Sequence, residues 1–253
     1  RLNQTEQVGF FFSYPGTPYI KRYNLKTWSL DSTCIHGVAS RRAGHVTVFP
    51  HAIAQGASWD VDLVRRLSSV TATEARIVSA QTYYNSGENQ GSVLSCDGGP
   101  LANSAHDPRW GRISETYGED PMLIQTIGVT AMNGLQGPLP VPGGKAEDVF
   151  FATRQVTRHY IAYHGASPDI GPPSCHEFGS CNFISTNRSL SDSYFPTYGA
   201  FQDPTKGRAD GIMCAMSRLN GRCTLNAAKC SFACVVCTRC SIVCGPFAFE
   251  HHA

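Results

Sequence analysis

No apolar run in this chain approaches the roughly 20 residues that a membrane-spanning helix needs. Stretches such as Ile161-Ala-Tyr163 and Cys234-Val-Val236 are a few residues long, so no membrane partner is expected. Charge of one sign is equally scarce. With 21 Lys and Arg against 19 Asp and Glu the formal net charge is +2 and no basic stripe is present, which gives no electrostatic reason to bind nucleic acid. Internal repeats are absent, and Arg1 opens on polar residues with no apolar leader, as a mature secreted chain also would. What the chain does hold is cysteine. Its 11 cysteines belong more naturally in an oxidising compartment than in the cytosol, and the odd number leaves at least one thiol unpaired or paired between molecules. Asn3-Gln-Thr5 and Asn187-Arg-Ser189 are N-glycosylation acceptors, so a secreted glycoprotein is expected. At 253 residues and 42% hydrophobic, the chain can bury one substantial core.

Short apolar runs alternate with amphipathic helical stretches. Ser58 or Asp60 can cap a helix in which Val61, Val64, Leu67 and Thr71 recur every three or four residues, with Asp62, Arg65, Arg66 and Glu74 on the wet side. Further helices are expected over 121–133 and 189–201. The first begins at an Asp120-Pro121 cap and ends with Gly134 just past its last turn. Strands are expected at Ser92-Val-Leu-Ser95, Val149-Phe-Phe-Ala152, Tyr160-Ile-Ala-Tyr163 and Gly211-Ile-Met-Cys-Ala215. Strand alternating with helix predicts parallel βα units. Pro138-Leu-Pro-Val-Pro-Gly-Gly144 reads as a polyproline-like loop between units.

The densest chemistry lies in Asp107-Pro-Arg-Trp-Gly-Arg-Ile-Ser-Glu-Thr-Tyr-Gly-Glu-Asp-Pro121. Pro108 and Gly111 fix a bend, Arg112 offers a planar fork suited to vicinal hydroxyls or a carboxylate, and Trp110 offers a flat apolar face. In an arbitrary loop such charges would only pair with one another. The wording, however, resembles the signature of the N-terminal domain of glycoside hydrolase family 3, the β-glucosidases and β-xylosidases. Further words fall in the family's order: Ile35-His36-Gly37-Val38, Thr47-Val-Phe-Pro50, Ala57-Ser-Trp-Asp60, Thr73-Glu-Ala-Arg76, Gly134-Leu-Gln-Gly137, Arg158-His-Tyr-Ile-Ala-Tyr163, Leu190-Ser-Asp-Ser-Tyr-Phe-Pro196 and Ile212-Met-Cys-Ala…Leu219-Asn-Gly221. Each is weak alone; the ordered series is specific. It implies an α/β fold, a (β/α)8 TIM-type barrel formed by residues 1–253 as a single domain and incomplete at its C-terminal end. The family's second domain, which carries the general acid, is not expected within this chain.

Retaining glycosidases need two carboxyl groups about 5–5.5 Å apart. The resemblance lays Phe232–Cys240 over the strand that carries the family's nucleophilic Asp, and the matching position here is Arg239, which cannot attack an anomeric carbon. No catalytic carboxylate is thereby identified. A substrate-holding set is implied by the same resemblance: Arg112, His159 and Arg158, the last in place of a Lys, together with Met213, Trp110 and Asp31. Thr33 occupies an acidic position of the xylosidase-like branch, Met216 stands where an aromatic is usual, and an Arg expected near 178–182 is absent. The implied partner is a β-linked oligosaccharide or glycoside of glucose or xylose, with no cofactor or metal, and with a further C-terminal domain or a homo-oligomer as possible company. Two explanations of the lost carboxylate stay open: a relative that binds sugars without cleaving them, and a written sequence that departs from the protein around 239. A reading from another class comes from Cys234-x2-Cys237-x2-Cys240-x3-Cys244, which has the spacing of a ferredoxin-type iron–sulfur run. Zinc held with His251 or His252 is its variant, and disulfides or buried thiols are the default.

Overall fold

The computed structural model describes residues 20–23, 33–39, 44–86, 96, 99–140, 149–163, 182–215, 217–223 and 235–237. Asn3, Asp31, Met216, Arg239, His251 and His252 lie outside them, as do Cys234, Cys240, Cys244 and the Ser92–Ser95 strand expectation.

The helices form where local signals put them. α1 covers Ala52–Ala57 and α2 covers Val61–Ser86. Of the two candidate caps, Asp60 takes the role, its Oδ1 accepting from Leu63 N–H at 2.8 Å. Val64 and Thr71 are buried as the periodicity requires, and Ala72, Ala75 and Val78 carry the stripe onward, whereas Val61 at the helix start is 39% exposed. α3 covers Pro121–Gln136, with Asp120 accepting from Leu123 N–H at 2.8 Å and Pro121 in the first turn. Gly134 does not end it. It lies buried inside the helix where α3 crosses α2, and a Cβ there would stand 2.6 Å from Ser68 Cβ and 2.7 Å from the Arg65 carbonyl oxygen. The cap is Gly137, whose N–H reaches the Asn133 carbonyl at 2.9 Å. The helix expected over 189–201 is continuous but not uniform: a first turn at Asn187–Ser189, a π turn at Leu190–Tyr194, then α4 at Phe195–Gln202. Thr186 caps it, and Pro196, which has no N–H for the preceding turn, follows the widened segment.

The strands are where sequence reasoning and structure part. β1 (Pro138–Pro140) and β2 (Val149–Phe151) pair antiparallel, so the polyproline-like stretch opens a strand and Val149–Phe151 is not a parallel βα strand. Pro138 and Pro140 fall on the same edge of β1, where missing N–H groups cost no ladder bond if that edge is free. β3 covers Val156–Tyr160, earlier than expected, and the chain turns at Ile161-Ala162. β3 lies parallel to β5 (Gly211–Cys214), with Val156 beside Gly211 and Arg158 beside Met213, and a parallel bridge joins Arg158 to Leu101 on its other side. β4 (Asn182–Phe183) runs parallel to β6 (Arg218–Leu219). β6 turns through Asn220 and Gly221, with φ of 51° and 78°, into β7 (Arg222–Cys223). β8 (Val235–Cys237) pairs antiparallel with β5, which corrects the expectation that this stretch is the next parallel strand of a barrel. Among the described residues the architecture is α/β with parallel strands flanked by helices, and no closed eight-stranded barrel is present.

The main core joins Val64 of α2, Ile124, Ile127 and Met132 of α3, and Tyr198 and Phe201 of α4 to Ala102 and Ile161 beside the parallel strands. Each fully buried side chain of this size contributes about 1.5–3 kcal/mol. A second cluster contains the Cys34–Cys96 disulfide with Val38, Ala75, Val78 and Leu135, and it ties the segment 33–39 to the chain just ahead of Leu101. Cys214 is buried as a free thiol.

Candidate functional site

The parallel strands end in one place, and the chemistry gathers there. Arg112 and Glu115 sit at the start and the end of a 3-10 turn, Ile113–Glu115, in the loop that follows the Leu101 bridge. In a 3-10 turn, residues i and i+3 eclipse, so the two side chains share one side. Arg112 Nε donates to Glu115 Oε1 at 2.6 Å and Nη2 to Oε2 at 2.5 Å, a two-pronged pair. Arg158, near the carboxyl end of β3, approaches the same carboxylate at 3.5 Å. Arg112 Nη1 lies 3.2 Å from His159 Nε2. Arg112 and His159, 47 residues apart in sequence, therefore converge as the sequence predicted.

His159 is held from behind. Asn103 Oδ1 accepts from the His159 backbone N–H at 2.7 Å and Nδ2 donates to its carbonyl at 3.1 Å, while Tyr198 Oη donates to that carbonyl as well. Arg112 can only donate, so Nε2 of His159 is an acceptor, and the ring proton sits on Nδ1, 3.4 Å from Asn103 Oδ1. Burial, reinforced by the charges of Arg158 and Arg112, holds the His159 pKa well below its ordinary value, which agrees with this neutral tautomer. For Glu115, burial opposes ionisation, but the Arg112 hydrogen bonds and the charges of Arg112, Arg158 and His51 outweigh it, and the carboxyl lies below its usual range. The Arg158–His159 peptide is cis.

Around this cluster the quoted motifs touch one another. Gln55 Nε2 donates to the carbonyls of Ile35 and Pro50 at 3.2 and 2.8 Å, and Thr47 donates through N and Oγ1 to Glu74 at 3.0 and 2.6 Å. Gly37, at φ +128°, packs so closely on Thr47 that a Cβ would lie 2.4 Å from its carbonyl oxygen. The His36 and His51 rings stand 3.9 Å apart, and burial followed by the His51 charge lowers the His36 pKa. Thr33 pairs with Ala39 through the backbone at the base of the same loop.

The remaining predicted residues are distributed as follows. Trp110 is 5% exposed and meets Tyr163 edge to face at 5.6 Å; Tyr163 meets Phe183 in the same way at 5.9 Å. The Arg112 guanidinium lies over the Tyr163 ring at 5.9 Å. Met213 is half-buried beside Arg158 in the parallel ladder. Asn187 is exposed at the start of its helix. Glu115, Asn103, Tyr163 and Tyr198 are the members of the cluster that the sequence did not single out for a role. Glu115 was within reach, since it stands three residues after Arg112 inside the most informative word.

Residues 27–172 match the sequence profile of the glycosyl hydrolase family 3 N terminal domain. The chain belongs to that family. Among its relatives, a xylan 1,4-beta-xylosidase of Xylanibacter ruminicola is 30% identical over 205 residues, covering 81% of this chain and 22% of the relative. A probable beta-D-xylosidase 7 of Arabidopsis thaliana is 32% identical over 212 residues, covering 81% and 26%. The chain thus spans about a quarter of the length of these relatives. Of solved structures, a family 3 exo-beta-xylosidase bound to a xylobiose aziridine probe superimposes with a TM-score of 0.68 over 87% of this chain and 26% of its own, at 22% identity, and shares the fold. A beta-glucosidase of Listeria innocua gives 0.53 over 76% and 21%, at 26% identity.

Proposed function

We propose that this chain carries the sugar-holding part of a family 3 β-glycosidase site, for a terminal β-linked xylose or glucose residue. The observation that carries the reading is the contact of Arg112 with His159, backed by Arg158 and Glu115, at the carboxyl ends of parallel strands. Substrates of α/β folds sit outside those ends. Guanidinium N–H donors held in fixed directions, Arg112 against His159, suit the hydroxyls of a pyranose, and the aromatic group of Trp110, Tyr163 and Phe183 supplies an apolar wall. Met213, beside Arg158, and Asp31 complete the set. Relatives named as β-xylosidases favour xylose over glucose. The parallel pairing of β3 with β5 and of β4 with β6 supports a barrel-type domain, proposed over 1–253, and the Cys34–Cys96 disulfide together with Asn3 and Asn187 supports secretion and N-glycosylation.

A second reading, binding without cleavage, is favoured by one specific residue. The resemblance lays Arg239 over the family's nucleophile, and a guanidinium there stays protonated and would oppose an oxocarbenium-like transition state. The test has two arms. Calorimetric titration with xylose, glucose and xylobiose is expected to show binding, weakened at least about tenfold in Arg112→Ala, the loss typical of truncating a buried charged hydrogen-bonding partner. An aryl β-xyloside is expected to show no turnover above background with the chain alone. Absence of sugar binding would sink the proposal; retaining hydrolysis, with an Asp found at 239 by peptide sequencing, would sink the non-catalytic version.

A further inference from the structure

Resting on the sugar-site reading above, we propose that Glu115 is the positioning residue of this site, fixing Arg112 and Arg158 and, through Arg112, the tautomer of His159. One carboxylate serves two guanidinium groups: it takes two N–H donors of Arg112 at 2.6 and 2.5 Å and lies 3.5 Å from Arg158. The side chains of Arg112, Glu115 and Arg158 keep only 26%, 20% and 11% of their exposure, so the pairing is largely removed from solvent screening. An exposed pair of this kind would contribute little; a desolvated one decides where its members stand.

Three features separate positioning from simple charge balance. The 3-10 turn fixes the Arg112 and Glu115 backbones relative to each other, with Glu115 N–H donating to the Arg112 carbonyl at 3.0 Å, so the carboxylate has little freedom to be placed elsewhere. Binding Arg112 through Nε and Nη2 sets the guanidinium plane, and that plane delivers Nη1 to His159 Nε2. Finally, the acceptor state of Nε2 depends on that delivery, so the protonation pattern of the imidazole is set one link away from the carboxylate. A hydroxyl-rich ligand then meets donors whose directions are already fixed, and less ordering is left for binding to do.

The experiment compares the wild-type chain with Glu115→Gln, which keeps shape and loses charge, and Glu115→Asp, which keeps charge. Xylose is titrated by calorimetry. The Arg112 Nε–H resonance and the His159 ring nitrogens are followed by NMR without ligand, and thermal unfolding checks the fold. Expected are a loss of xylose affinity of at least about tenfold in E115Q, partial recovery in E115D, loss of the protected Arg112 Nε–H in E115Q, and a His159 Nε2 shift toward an unbonded acceptor. Unchanged Arg112 and His159 resonances in folded E115Q, or full affinity in that variant, would overturn the proposal. Should E115Q not fold, the same resonances in E115D decide: wild-type values there refute positioning, and altered values support it. If the wild type binds no xylose, the sugar-site reading fails and takes the ligand half with it, while the ligand-free resonances still judge whether Glu115 positions the cluster.

Discussion

Asn103 grips the backbone of one residue, His159, on both sides. Its amide is fully buried, accepts from His159 N–H at 2.7 Å, and donates to the His159 carbonyl and to Tyr198 Oη at 3.1 Å each. Asn103→Ala leaves those groups without their partner in a dry interior, where an unmade hydrogen bond costs about 1–3 kcal/mol. Urea unfolding is expected to show a loss in that range or somewhat above, with a mixed His159 tautomer by NMR. An unchanged midpoint would mean that solvent reaches the cluster. Asn103 was not legible in the sequence because its partners lie 56 and 95 residues away, and nothing local marks an amide as a clamp. Arg112, Arg158 and His159 were legible for the opposite reason: each stands inside a run of residues whose order alone is specific.

At the scale of elements, the helix starts were readable and the helix crossings were not. Asp60 and Asp120 act on N–H groups three residues on, so sequence distance and spatial distance agree. Gly134 looked like a helix end because glycine is common there, yet it marks the close approach of α2, which only tertiary packing can dictate. Strand direction was hidden at Val235 for the same reason, since its partner Met213 lies far back along the chain, whereas Val149 pairs locally with Pro140, in a stretch whose prolines read as a loop. Two glycines make the point measurable. Gly134→Ala improves helix propensity by up to about 1 kcal/mol but drives a methyl into Ser68 and the Arg65 carbonyl, an overpacking that costs about 1–3 kcal/mol. Gly199, exposed in α4 with nothing within 4 Å of its would-be Cβ, gains the propensity without the clash. Unfolding midpoints are expected to fall for G134A and rise for G199A; a rise for both would show that the α2–α3 contact is looser than described.

Across the whole molecule, the groups buried around the strand ends predict how stability follows pH. Burial, then Arg158 and Arg112, keep His159 neutral in the folded chain, whereas in the unfolded chain it protonates near its ordinary value of 6.5. The unfolded state therefore binds more protons as pH drops below that value, so the stability contributed by neutral His159 is present above about pH 6.5 and is lost on acidification, by up to about 1.4 kcal/mol per pH unit. His36 and His106 act in the same direction, each through burial first. Glu115 adds a second, lower window: its depressed carboxyl contributes stability above its unfolded value of 4.5 that is lost as pH falls through the folded one. Urea midpoints are expected to be level above pH 7, to decline from about pH 6.5, and to steepen below about pH 4.5. Replacing His159 by Gln, which does not titrate, removes one proton from the upper slope, so the profile between pH 7 and 5 should flatten, by an amount that His36 and His106 do not supply. A His159→Gln profile running parallel to the wild type over that interval would show that His159 takes up its proton at the same pH folded and unfolded, and the lowering ascribed to burial and to Arg158 and Arg112 would fall.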